Sequence, residues 1–286
     1  DYGIRATIKY RENIFNTAKV VILPSLKSFN IAFNKTLLAH HLIKNSIACP
    51  DTFFYTKEEL LEGAIKEYPV LLKPSDGFSG GKGIIRFNDF DDVKSHLTNN
   101  KLVDDFVIQK FIEGYDLGCN VLADNGKISA FTIQKGCLWS DLPFSPQIGL
   151  VFLYEQEIYD SVNKLIKSLN WSGVANIDLR YDKNTNKFKV IEMNPRFWET
   201  TEASEIAGVN FPYLQILKSM DVNFKLPDYK HLKYLNLLGL KKTIKENKLF
   251  IFRLRFIFKN TPLKYYIKDP KPFLKILFIK LKSLIK

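Results

Sequence analysis

Residues 190–196 read Val-Ile-Glu-Met-Asn-Pro-Arg, and fourteen positions before Glu192 stands Asp178 in the run Gly173-Val-Ala-Asn-Ile-Asp-Leu-Arg180. An aspartate, a glutamate and an asparagine, all hard oxygen donors, thus lie on two apolar segments, with Arg196 just beyond. Magnesium takes near-octahedral oxygen ligation, with one or two carboxylates from protein and the rest from water and phosphates. Asp178, Glu192 and Asn194 suit that ion and, with Arg196, a nucleoside triphosphate. Side chains alternate between the faces of a strand, so Asn176, Asp178 and Arg180 share one face of the first run, and Glu192 and Asn194 one face of the second. Between the runs lies Tyr181-Asp-Lys-Asn-Thr-Asn-Lys187, rich in turn formers, which predicts a hairpin that lets the three oxygen donors converge. Two acids on a half-buried sheet are commonly only solvated. Here the apolar flanks, the Asn-Pro-Arg sequel and the motifs below favour a site.

A second candidate is Lys73-Pro-Ser-Asp-Gly-Phe-Ser-Gly-Gly-Lys-Gly83. Glycines let backbone N–H groups approach a phosphate closely, and Lys73 and Lys82 add charge. It is not a Walker A loop, because Lys82 is followed by Gly83 rather than Ser or Thr, and Ile84, Ile85 and Arg86 exclude a Gly-x-Gly-x-x-Gly. A ligand-free hairpin tip is the competing reading.

These groups need elements to hold them. Val20-Val-Ile-Leu-Pro24 reads as a strand, and Asn34 to Asn45 has helical spacing. Thr56-Lys-Glu-Glu59 is a capping-box pattern, predicting a helix that ends before Pro69. Short strands are expected at Tyr68 to Pro74, Ile84 to Phe87 and Val107 to Ile112. Asp124-Asn-Gly126 is a hairpin turn between strands at Cys119 to Ala123 and Lys127 to Gln134. Glu155 to Leu169 reads as a helix, as does Ala203 to Met220 with a break at Gly208 to Pro212. Strands in pairs with helices between them predict an α+β fold with antiparallel sheets.

Composition bounds the rest. A chain of 286 residues, 46% hydrophobic and 25% charged, is an ordinary globular one with room for one large core or two modest ones. Cys49, Cys119 and Cys137 are odd in number, with no Cys-x-x-Cys, which argues for a reducing compartment and against structural zinc. No apolar run reaches the roughly 18 residues of a membrane span and no signal peptide opens the chain, so a cytoplasmic protein is expected. The absence of an initiator methionine suggests a processed or shortened form. The net charge of +12 resides in residues 241–286, which hold fourteen Lys or Arg against Glu246 and Asp269. The body is neutral, with no compositional sign of a nucleic-acid groove.

Taken in order, Val-Leu-Leu-Lys73-Pro, the loop to Gly83, Val-Ile-Gln109-Lys-Phe-Ile-Glu-Gly114-Tyr-Asp116, the Asp178 strand and Glu192-Met-Asn-Pro-Arg196 resemble the successive elements of the ATP-grasp superfamily of carboxylate ligases, over about residues 28 to 220. Asn-Pro-Arg-Phe-Trp198 and Ala207-Gly-Val-Asn-Phe-Pro212 are similar to poorly characterised members near the carbamoyl-phosphate-synthase-like ligases, and Asp269-Pro-Lys-Pro-Phe-Leu274 to a segment that follows the domain in some of them. The resemblance implies ATP between two α+β lobes, with magnesium, or manganese in its place, on Asp178, Glu192 and Asn194. Lys73 and Lys35 would contact the nucleotide. Ser79, Gly80, Gly81 and Lys82 would close over the phosphates, and Gln109, Lys110, Phe111 and Ile112 would bind adenine, mostly through backbone groups. Asp116 would hold the ribose and Arg196 the transferring phosphate. Lys110 departs from a common glutamate, and Asp178 from a glutamine in some relatives. The division expected is 1–67 as an N-terminal remnant with linker helices, 68–112 as the small lobe, 113–225 as the large lobe and 226–286 as a basic tail.

The function implied is an ATP-dependent carboxylate–amine ligase acting on a small carboxylate and an amine, the alternatives being a phosphotransferase or a non-catalytic nucleotide-binding scaffold at a membrane. Glu199 and Glu202 could receive a cationic amine or could merely cap a helix. Full members usually begin with a further nucleotide-fold domain, of which only a remnant precedes Asn34, so part of the acceptor site is expected to be missing or to be supplied by a homodimer or partner chain. In the tail, Lys268, Lys271, Lys275, Lys282 and Lys286 cluster on a helical wheel, predicting a helix on an anionic membrane surface, against the alternative of one packed on the body or on a second protomer.

Overall fold

A computed structural model describes residues 2–76, 83–99, 105–141 and 147–272, with 274, 275 and 278. Two antiparallel sheets organise it. The smaller has the strand order β1-β4-β2-β3 and comprises β1 (Thr52–Phe53), β2 (Val70–Pro74), β3 (Ile85–Phe87) and β4 (Phe106–Lys110). The larger has the order β10-β7-β6-β5-β8-β9, built from β5 (Gly114–Asp124), β6 (Lys127–Trp139), β7 (Gln147–Leu153), β8 (Gly173–Asp182), β9 (Lys187–Asn194) and β10 (Lys233–Leu235). Asn125 and Gly126, with φ of 48° and 77°, form the β5–β6 turn, the left-handed conformation that an Asn-Gly pair adopts at least cost.

Alternation along the strands assigns the faces. On the small sheet, Val70, Leu72 and Ile108 join Leu60, Val93 and Leu97 in a core beneath α5 (Lys57–Leu61) and α6 (Phe90–Asn99). Leu71, Lys73, Val107 and Gln109 are therefore left for the other face. On the large sheet, Cys119, Ile133, Ile177 and Met193 pack against Ile158, Val162 and Leu165 of α7 (Gln156–Ser168). Its opposite face is covered in part by α8 (Thr201–Ala207) and α9 (Phe211–Ser219), which bring Ala203 and Phe211 onto β7, β8 and their neighbours. After α1 (Tyr2–Lys9), α2 (Arg11–Phe15) and α3 (Leu26–Phe33), the helix α4 (Lys35–Lys44) touches both β4 and β9 and so links the two sheets. It starts at Asn34, whose side chain accepts from the Leu37 N–H.

Several expectations are corrected. The run Val20 to Pro24 is extended but joins no ladder; the Ile22 N–H donates to Ser219 Oγ at 2.9 Å and its carbonyl accepts from Gln215 Nε2 at 3.2 Å, which ties it to α9. The Thr56 capping box is present and α5 ends before Pro69 as expected, at Leu61, with Gly63 following at φ 78°. The strand β7 was not expected. Ahead of the helix expected over Lys268 to Lys286, within which residues 271, 272, 274, 275 and 278 are helical, the basic tail forms α10 (Leu237–Glu246), a 3-10 turn (Lys248–Phe252), α11 (Leu254–Asn260) and α12 (Leu263–Lys268). The first of these packs on the body so closely that a Cβ at Gly239 would fall 2.2 Å from Ile148 O. Lys282 and Lys286 of the expected stripe lie outside the described residues. The division into lobes stays a proposal; β1 and α5, before residue 68, join the small sheet and its core, and β10, after residue 225, joins the large sheet.

Candidate active site

The β8–β9 hairpin forms as the turn residues require, and Asn176 faces Asn194 while Asp178 faces Glu192. The register then shifts, Leu179 pairing with Val190, so that one extra residue is accommodated in β9. Its consequence is visible in the burial pattern: Phe188 and Val190 are core residues two apart, but the next is Met193, three further on. Without the bulge Glu192 would share the face of Val190 and point into the core beneath α7. With it, Glu192 and Asn194 join Asp178 on the open face.

Two lysines oppose these acids. Lys35 opens α4; its N–H donates to Ser75 O at 2.8 Å, and its Nζ lies 3.2 Å from Glu192 Oε1. Lys73 on β2 is 5% exposed. Burial, reinforced by the Lys35 and Arg180 cations and opposed by Glu192 and Asp116, lowers its pKa to about 8. Lys73 therefore senses groups of the large sheet across the gap. On the same face of the small sheet, Thr52, Gln109, Leu71 and Arg86 form a row from β1 to β3. Gln109 Nε2 donates to Thr52 Oγ1 at 3.0 Å, whereas its Oε1 is buried without a partner among the described residues. Lys110 falls on the other face and pairs with Glu67, and its N–H donates to Asp51 O, which leaves the side chain no part in the cleft.

Arg180 organises the passage between the sheets. Its Nε donates to Ile112 O at 2.7 Å, Nη2 to Gly114 O at 3.2 Å and Nη1 to Asp116 Oδ1 at 2.5 Å. The chain crosses so near β8 here that a Cβ at Gly114 would meet Tyr181 O at 1.7 Å. Phe111 lies between two guanidinium groups, Arg86 at 4.3 Å and Arg180 at 5.7 Å from its ring centre. Asp116, held on one side by Arg180, remains open on the other, its side chain 52% exposed.

Beneath the acids runs a buried amide ladder. Asn194 Nδ2 donates to Asp178 Oδ2 at 3.1 Å and Asn176 Oδ1 at 3.3 Å; Asn176 Nδ2 donates to Asn120 Oδ1 at 3.0 Å; Asn120 Nδ2 donates to Gln134 Oε1 at 2.8 Å and Thr132 Oγ1 at 3.2 Å. The ladder crosses β9, β8, β5 and β6 in spatial order, and Asn120 and Thr132 are fully buried. Three oxygens converging on one point were expected from Asp178, Glu192 and Asn194. Instead Asn194 turns its nitrogen to Asp178 and its oxygen to Arg196 Nη2 at 3.2 Å, while Glu192 pairs with Lys35. Among the described residues no group of three or more His, Cys, Asp or Glu side chains could hold a metal ion. Asp178 registers the strain of that arrangement: burial, then the Glu192 and Asp116 charges, push its pKa up to about 7, with Arg196 and the Asn194 amide opposing.

Thus Lys35, Lys73, Asp116, Asp178, Glu192, Asn194 and Arg196 surround one gap. Ser79, Gly80, Gly81 and Lys82 lie outside the described residues. Glu202 is committed to the hydroxyl of Tyr234, which donates to it at 2.7 Å. Sequence reasoning assigned no role to Arg86, Arg180, Asn176, Asn120 or Gln134. For Arg180 the signal was its shared parity with Asp178; Asn120 and Gln134 needed the strand register.

Two antiparallel lobes, one bringing buried lysine and the other carboxylates to a common gap, define a two-lobed α+β clasp. The family model of the ATP-grasp domain matches residues 32–201, well over half of the chain, and the chain belongs to the ATP-grasp family. Among curated proteins it is similar to the D-alanine–D-alanine ligase of Wolbachia pipientis wMel, 26% identical over 198 residues that cover 63% of this chain and 62% of the relative. It is also similar to the D-aspartate ligase of Enterococcus faecium strain Aus0004, 25% identical over 184 residues, 56% of this chain and 43% of the relative. The chain thus spans less than two thirds of the length of either relative. Among solved structures, carboxyaminoimidazole ribonucleotide synthase from Aspergillus clavatus, complexed with ATP, has a TM-score of 0.63 at 17% identity, covering 80% of this chain and 62% of that one. The L-amino acid ligase from Bacillus licheniformis has a TM-score of 0.57 at 21% identity, covering 76% and 53%. These likenesses establish the fold.

Proposed function

We propose that the protein is an ATP-dependent ligase joining a small carboxylate to an amine. The γ-phosphoryl group passes to a carboxylate oxygen with release of ADP; a neutral amine then attacks the acyl phosphate carbon, the carbon–oxygen bond to phosphate breaks, and an amide and phosphate leave with loss of the amine proton. Positioning and charge neutralisation suffice for such chemistry, and no protein nucleophile is needed. The observation that carries this reading is the Lys35–Glu192 pair at 3.2 Å, with buried Lys73 beside it, which sets cations for phosphate against oxygen donors for a cation in one gap.

Lys35 and Lys73 bind phosphate oxygens in this reading, and Arg196 steadies the transferring group. The unpartnered Gln109 Oε1 offers the base an acceptor, and the open side of Asp116 offers the ribose one. Asp178, Glu192 and Asn194 would hold magnesium, which supplies charge neutralisation at the phosphates. The fit rests on Asp178: a half-buried carboxyl crowded by Glu192 and Asp116 is held up at about 7 despite Arg196 and the Asn194 amide, so a further positive charge there is favourable. Asn194 must then turn its oxygen toward the ion.

ADP release measured against pools of acids and amines tests the proposal, with amino acids first because two relatives are D-amino-acid ligases. ADP that appears only when both an acid and an amine are present supports it. A phosphorylated product formed from one substrate alone overturns it in favour of a phosphotransferase. Among the described residues no helix is long and apolar enough to cross a membrane; attachment to an anionic membrane is a separate proposal, made specific below.

A further inference from the structure

The C-terminal segment turns one compact tip outward. After α10 the 3-10 turn Lys248–Phe252 leads through Arg253 into α11. Asn247 caps the turn, its Oδ1 accepting from the Leu249 N–H at 3.1 Å, and the Arg253 N–H donates to Phe250 O at 3.0 Å. Beyond it, Ile257 is buried and Asn260 Nδ2 donates to Lys233 O at 2.7 Å, which anchors α11 to β10 and so to the large sheet. The tip is a built feature, yet it holds its apolar side chains in solvent: Leu249 is 72% exposed, Phe252 77% and Leu254 59%. Single exposed apolar residues are ordinary on a protein surface. Four such chains within six positions, Ile251 at 50% exposure with these three, on a capped turn call for a partner.

Charge identifies the partner. From Asn247 to Lys268 the chain has six Lys or Arg and no Asp or Glu, and Lys248, Arg253, Arg255 and Lys259 are exposed on the tip itself. Arg253, Leu254, Arg255 and Lys259 line a shallow hollow of about 500 Å³. We propose that this tip docks on an anionic phospholipid membrane, with Leu249, Phe252 and Leu254 entering the boundary between headgroups and acyl chains and the four cations meeting lipid phosphates. Apolar chains collared by lysine and arginine are the composition that partitions to such an interface. A second copy of the chain fits worse, because two tips in contact oppose like charges with no acid between them. RNA fits worse too, since of the exposed apolar chains on the tip only Phe252 offers a base a stacking face.

The test is sedimentation of the full chain with vesicles of phosphatidylcholine alone and of phosphatidylcholine with phosphatidylglycerol, at low and high salt. The expected result is binding to the anionic vesicles only, weakened by salt. The double variants Leu249→Ser with Phe252→Ser, and Arg253→Glu with Arg255→Glu, are each expected to lower it about tenfold or more. Both alter only exposed side chains, and an unchanged melting temperature confirms that they fold. Absence of binding, equal binding to neutral and anionic vesicles, or full binding by both variants overturns the proposal, the last assigning attachment elsewhere in the chain. A wild-type dimer that Leu249→Ser with Phe252→Ser converts to a monomer also overturns it, by showing that a second copy covers the tip.

Discussion

Lys35 Nζ lies 3.2 Å from Glu192 Oε1, and this one ion pair joins the first turn of α4 to the bulged strand β9. A lysine at a helix N-terminus stands against the helix dipole, and Glu192 offsets that repulsion. The pair is 12% and 31% exposed at its two side chains, so neither charge is free to hydrate fully. In the proposed ligase the same two groups must part, the lysine to phosphate and the glutamate to a cation.

Replacing Glu192 by Gln keeps the shape and removes the charge. Phosphate release is expected to fall by about a hundredfold or more, with the fold retained by circular dichroism. Lys35→Met is expected to raise the KM for ATP more than it lowers kcat, as the loss of a ground-state phosphate contact does. Turnover surviving in Glu192→Gln would remove this residue from the metal set.

Lys73 sets a pH dependence. Unfolded, it keeps its proton up to about 10.5; folded, only up to about 8. Between those values the unfolded chain holds more protons, so stability climbs with pH. The cost of the buried ammonium is complete below 8 and vanishes above 10.5. Lys73→Met is therefore expected to melt several degrees higher than wild type at neutral pH and to lose that advantage near 10.5, while binding ATP more weakly. In the wild type, kcat/KM for ATP should decline as pH rises through 8.

The opposite sign holds for Asp178, whose carboxyl is raised from 3.8 to about 7. Between these values the folded chain holds more protons, so this residue's contribution to stability is lost as pH rises, and the penalty for its charge is complete above 7. Asp178→Asn should accordingly stabilise the ligand-free protein at pH 8 and barely alter it near 4. Magnesium must displace that proton. The magnesium-dependent rise in melting temperature with ADP present should thus be larger at pH 8 than at 5.5, and absent in Asp178→Asn.

Asn120 is far from any expected ligand but stands in the middle of the amide ladder. Asn120→Leu leaves Asn176 Nδ2 without its acceptor and leaves Gln134 Oε1 only the Thr132 hydroxyl at 3.5 Å. Each buried group so orphaned costs about 1–3 kcal/mol, which thermal melting will read. Because Asn176 in turn accepts from Asn194, ATP turnover is expected to fall as well. Gln134→Leu, at the far end, should destabilise comparably with a smaller effect on turnover.

The strongest local signals agree with the structure. Asn34 and Thr56 cap their helices, Asp124-Asn-Gly126 turns β5 into β6, and Asp178 meets Glu192 across a hairpin. Each depends on a few adjacent residues, whose own hydrogen-bonding and conformational preferences suffice. Reading failed where local preference was overruled. Val20 to Pro24 has strand composition, but among the described residues it pairs with no strand and is held by Ser219 and Gln215 of α9 instead. The basic composition of residues 241–286 gave no sign of the separate short elements before Lys268, where Gly239 packs α10 onto β7 and Asn247 ends that helix.

The site divides in the same way. The sequence alone determined which chemical groups are present, their parity on β8 and the order of motifs, because these are properties of neighbouring residues. Only the tertiary structure decided that a bulge turns Glu192 out of the core, that Lys35 reaches it from another helix, and that Arg180 ties Asp116 to the backbone at Ile112 and Gly114. Each of these relationships joins residues that strand order and packing bring together over long stretches of chain.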